Sequence, residues 1–130
     1  MKPKLGILSA VLVGLLIMHA VPTFAHHGTA GDDTSKIVTV KGTVTDFQFI
    51  NPHVQIYVEA KDEQGNTQIW DGEASNSLVL HRAGWNSKII KVGDQITLNG
   101  YQSKNKGTSL RLTSVVLADG RQLETFPRLE

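Results

Sequence analysis

Apolar and polar residues alternate along most of the chain beyond residue 36, with the period of strands rather than of helices. Ile37 to Ile50 reads as one long strand, in which Val38, Val40 and Val44 share a parity around Gly42 and Phe47 and Phe49 take the opposite one. A strand keeps one face only while parity holds, so the switch predicts a bulge near Thr45-Asp46 that bends the strand. Asn51-Pro52 ends it, because proline cannot donate to a ladder. Val54, Ile56 and Val58 alternate with Gln55, Tyr57 and Glu59 in a second strand. The turn residues Asp62 to Asn66 lead into a third strand, Thr67 to Gly72, and these two strands form a hairpin.

Ser75 to Ala83 is the one helical segment: Ser75 or Asn76 caps it, Leu78, Val79 and Leu80 give it an apolar patch, and Gly84 stops it. A fourth strand, Gln95 to Tyr101, follows the turn Val92-Gly93-Asp94. A fifth, Ser109 to Leu117, carries Leu110, Leu112 and Val116 on one side. Leu123 and Phe126 in the tail are expected to cover one end of the core. The order is three strands, a short helix and two strands, with a long bent first strand. That order predicts a mainly β fold, a small five-stranded barrel like the oligonucleotide/oligosaccharide-binding (OB) fold with one short helix between strands 3 and 4. A small open sandwich of the same strands is the alternative.

The amino end changes the domain picture. Met1-Lys2-Pro3-Lys4 is basic, Leu5 to Ala20 carries no charged side chain, and Thr23 and Ala25 are small. That is the layout of a secretory signal peptide cut after Ala25, the alternative being an uncleaved anchor. The apolar run falls short of the roughly 20 residues a membrane-spanning helix needs. Three segments are therefore expected: a signal peptide over 1–25, a flexible arm over 26–36 and one β domain over 37–130, exported to the periplasm and without a membrane span after cleavage. The chain has no cysteine, so no disulfide holds the domain together and its packing must do so.

Cleavage also changes the charge. Lys2 and Lys4 leave, and the formal net charge of +1 becomes −1. The mature chain has no basic excess to attract nucleic acid or anionic lipid, so no nucleic-acid partner is expected.

The residues Ala25-His26-His27, Lys41-Gly42-Thr43-Val44, Asn51-Pro52-His53, Ile56-Tyr57-Val58, Trp70 with Glu73, Arg82-Ala83-Gly84-Trp85, Val92-Gly93-Asp94 and Asp119-Gly120-Arg121 together resemble a family of small exported bacterial proteins, domain of unknown function 6152. Phe49 departs from the pattern, where an indole is expected. The resemblance implies a periplasmic location and one small β domain, and it brings no activity with it.

Candidate chemistry is sparse. After cleavage, the α-amine and imidazole of His26 could chelate a metal ion, with His27 or His53 adding a further nitrogen; such ligands favour copper, with zinc and nickel behind. These histidines have a plainer reading, as solvated residues of an arm (His26 and His27) and as a backbone-bonded corner residue (His53). His81 is a surface helix residue and a remote third ligand. Tyr57 and Trp70 lie on the second and third strands, where they could stack on a sugar or base, or simply fill the core. Glu73 is either a functional carboxylate or a cap for the helix. No phosphate loop, nucleophile elbow, His-Glu-x-x-His pair or calcium loop is present in the sequence. The expectation is a non-enzymatic binding module for a transition metal, copper first. The alternatives are a protein-interaction or envelope-structure module with an unknown protein partner, or a small-molecule or glycan binder.

Overall fold

The computed structural model describes residues 31–127. The expected signal peptide over 1–25, with His26 and His27 behind it, lies outside the described residues. Among the described residues, six strands and one helix form in the order β1 (Asp32–Gln48), β2 (Gln55–Lys61), β3 (Thr67–Glu73), α1 (Ser77–Arg82), β4 (Gln95–Ser103), β5 (Ser109–Val116) and β6 (Gln122–Glu124).

β1 is long because it serves two neighbours. Its residues from Asp32 to Thr43 pair with β4, and those from Thr43 to Gln48 pair with β2. The register to β2 shifts between Val44 and Asp46, which is the bulge that the parity switch predicts. The strand begins earlier than Ile37, so Asp32 to Lys36, expected in the arm, belong to β1; Asp32 and Asp33 pair with Ser103 and Gln102. Ladder bonds are made by the backbone, so a polar stretch without apolar periodicity can still join a sheet edge.

The sheet runs β3-β2-β1-β4-β5-β6, and β3 also pairs with β5 in parallel, closing five strands into a ring. β6 pairs with the later part of β5, beyond the stretch taken by β3. This pairing, with a helix between β3 and β4, is an OB-like barrel. Closure needs close backbone approach, and glycine supplies it: a Cβ on Gly100 would stand 2.4 Å from the carbonyl oxygen of Arg111.

Val44, Ile56, Val58, Leu98, Leu110 and Leu112 fill the barrel. Each such side chain contributes about 1.5–3 kcal/mol through burial. On β5 the buried residues are Leu110, Leu112, Ser114 and Val115, with Leu117 buried just beyond the strand, while Val116 is only partly covered. This corrects the expected grouping of Leu110, Leu112 and Val116. The register to β4 jumps from Asn99↔Ser114 to Gly100↔Leu112, so one extra β5 residue reverses the parity.

α1 closes one end of the barrel. Asn76 caps it, its side-chain oxygen accepting from the Val79 N–H at 2.9 Å, and Gly84 follows at φ +92°. Leu80 and Trp85 enter the core, whereas Leu78 stays exposed. In the tail, Leu123 packs against the core from β6. Phe126 does not: it lies under the Arg111 guanidinium, 4.7 Å from ring centroid to Cζ.

Candidate functional site

Strand register brings the polar residues of β1, β2, β3 and β5 onto one outer face. Residues paired across a ladder share a face, and so do alternate residues along a strand. One row is Asp46, Tyr57, Asp71 and Ser109. The row beside it is Gln48, Gln55, Glu73 and Arg111, continued by Tyr101 on β4. An aromatic ring thus stands among carboxylates and amides on a regular β surface.

The electrostatics follow from this layout. The phenol of Tyr57 has a pKa above its ordinary value, chiefly because the Asp71 carboxylate lies opposite, then through burial and through Asp46. Burial, and then the charge of Glu73, raise the Asp71 carboxyl above its usual range. Oδ1 of Asp71 and Oε1 of Gln55 are both buried without a hydrogen-bond partner. The two residues are diagonal neighbours in the β2–β3 ladder.

His53 sits just before β2, at the corner that follows the cis Asn51–Pro52 bond. Its Nδ1 lies 3.4 Å from Oε1 of Glu73. Asn51 ties the same corner to the start of α1, its Oδ1 accepting from the Ser77 N–H and hydroxyl. Glu73 therefore ends β3 facing His53 and does not cap the helix, a role that Asn76 fills.

Tyr57 and Trp70 do not form a joint platform, contrary to one expectation. Tyr57 is paired with Asp71 and Trp70 with Val58, so the two rings lie on opposite faces of the hairpin. The Trp70 side chain packs partly against the core and lines a cleft of ≈ 330 Å³ with Val38, Lys41 and Gln68. His81 is exposed on α1. Among the described residues no group of three His, Cys, Asp or Glu side chains could hold a metal ion. The copper expectation thus rests on His26 and His27, which lie outside the described residues.

The sequence reading passed over Asp46, Asp71 and Arg111. For Asp71 the signal was available: it precedes Glu73 by two residues on one strand, the spacing that puts two carboxylates on one face. Arg111 reaches this face only through the β3–β5 pairing, which no local pattern announces.

The fold and this face define a small OB-like β-barrel domain with a mixed polar and aromatic outer surface. The chain belongs to DUF6152, a family of unknown function, whose model matches residues 13–111. No curated protein matches it. Among solved structures, a small single-stranded DNA-binding protein from Streptomyces coelicolor is similar at 15% identity and a TM-score of 0.40, over 63% of this chain and 90% of that one. The barrel assignment stands on the strand pairing itself.

Proposed function

We propose that the protein is an exported, non-enzymatic binding module that takes a glycan or a similarly hydroxylated small molecule on the outer face of β2 and β3. The observation that carries this reading is Tyr57, partly exposed and bracketed by Asp46 and Asp71, with Gln48, Gln55 and Glu73 in the adjoining row. A ring face suits the apolar side of a sugar, and planar carboxylates and amides suit its hydroxyls. The strand 2–3 face is also the one OB barrels use for oligosaccharides and oligonucleotides. Three carboxylates against one guanidinium speak against a phosphate backbone as the ligand. Export is supported by the basic start, the uncharged Leu5 to Ala20 and the small residues Thr23 and Ala25.

The test is a titration of the isotope-labelled mature chain with neutral cello- and chito-oligosaccharides, read by amide chemical shifts. The shifts should cluster on β2 and β3 and disappear in Tyr57→Ala, while Trp70→Phe, on the other face, should keep them. Saturating sugar with no change on that face would rule the reading out.

Copper capture at His26 and His27, assisted by His53, is the second reading, on the single observation of two adjacent imidazoles directly after Ala25. Cu(II) titration of the mature chain beside a form lacking both residues tests it, and equal affinity of the two forms would reject it.

A further inference from the structure

Only the later part of β1 is paired on its β2 side. That ladder begins at Thr43↔Glu59, and among the described residues no strand lies beside Asp32 to Gly42 on this edge. Val44 bonds toward β4: its N–H donates to the Asp94 carbonyl at 2.9 Å, and its own carbonyl accepts from the Gly93 N–H at 2.8 Å. Backbone groups of alternate strand residues point to opposite edges. The register to β4 is unbroken from Val38 to Thr43, so Gly42, Val40 and Val38 also bond toward β4. The N–H and C=O groups of Lys41 and Thr39 therefore point to the open edge. A partner has room there, since a cleft of ≈ 330 Å³ is lined by Val38 to Lys41 on one side and Ala60 to Glu63 on the other.

The composition of the edge selects the partner. An open strand edge templates further pairing, and lysines commonly guard it. Here the charges are ordered along the strand: Asp32 and Asp33 open it, and Lys36 and Lys41 follow. A parallel neighbour of the same sequence would set lysine against lysine. A second copy running antiparallel brings the acidic start of each strand to the lysine end of the other, and two-fold symmetry makes this contact twice. Ile37 is the middle residue of Asp32 to Gly42, so in that arrangement it falls near the axis. It is 55% exposed, an apolar side chain that a single chain leaves in water.

We propose that the protein is a two-fold homodimer in which the open edges of β1 pair antiparallel and join the two barrels through one continuous sheet. The backbone groups of Thr39 and Lys41 gain ladder partners. Ile37 of each copy packs near the axis, and Asp32 and Asp33 of one copy meet Lys41 of the other. The pairing is independent of the ligand face at Tyr57, and it gives the assembly two such faces.

The experiment is sedimentation equilibrium of the mature chain over micromolar concentrations, with circular dichroism confirming the fold of each variant. The parent should be a dimer. Thr39→Pro removes the outward N–H and, besides it, only the exposed hydroxyl bond to Asn99, and it should leave a monomer. Thr39→Val loses the same hydroxyl but keeps the N–H, and should remain dimeric. Lys41→Asp should raise the dissociation constant roughly tenfold, through two like-charged cross-strand contacts. Adding Asp32→Lys and Asp33→Lys to that variant should restore the dimer, and this charge series decides on its own if Thr39→Pro fails to fold. A parent that is monomeric throughout, a dimer that survives Thr39→Pro, or a charge exchange that restores nothing would each overturn the proposal.

Discussion

Nδ1 of His53 stands 3.4 Å from Oε1 of Glu73, joining the β1–β2 corner to the last residue of β3. Both side chains are partly solvated, at 29% and 38% of their full exposure. A pair this open adds little to stability, because water screens the attraction and ordering two side chains costs entropy. Glu73→Gln should therefore lower unfolding stability by less than about 1 kcal/mol in urea titrations. A larger loss would mean that the pair holds the corner in place.

Asp71 should behave in the opposite sense. Its carboxyl is raised by burial and by Glu73, so the folded chain holds this proton more tightly than the unfolded one. For an acid shifted upward, stability is greatest below the unfolded pKa and declines as pH rises through the folded value. Asp71→Asn should then raise the melting temperature at neutral pH and gain much less at pH values below the ordinary carboxylate range. A variant less stable than the parent at neutral pH would show that the carboxylate is satisfied in a way that burial does not predict.

Gly100 should tolerate no side chain. A Cβ there meets the Arg111 carbonyl oxygen at 2.4 Å and its carbon at 2.9 Å, both of them backbone atoms that cannot swing aside. Gly100→Ala should cost about 1–3 kcal/mol or more. Gly31→Ala, where nothing lies within 4 Å, should be nearly neutral in the same calorimetric measurement. Equal effects at the two sites would show that β4 and β5 can separate at this point.

Trp85 is 2% exposed and fills the end of the barrel that α1 closes. Trp85→Ala should cost about 3–5 kcal/mol. A small domain without disulfides has about 5–15 kcal/mol in all, so the variant should unfold at far lower urea concentration. Trp85→Phe should recover part of the loss. A mild effect of Trp85→Ala would place the stabilising core in the strands alone.

Much of this protein was written locally in its residues. Alternation marked β1, β2, β4 and β5, because each strand must turn its apolar side chains to one interior, and the turn at Asp62 to Asn66 marked β3. The Val44-to-Phe47 parity switch marked the bulge, and Asn76 and Gly84 marked the helix, since parity and caps are properties of neighbouring residues. The tertiary structure alone decided what depends on pairing. It brought Asp32 to Lys36 into β1, reversed the parity of β5 at its bulge, separated Tyr57 from Trp70 and placed Arg111 beside Glu73. Those outcomes turn on the register between strands distant in sequence, and a one-residue change in register moves a side chain to the other face. The outer face around Tyr57 arises in the same way: its residues are ordinary along the chain and become a surface only once the barrel closes.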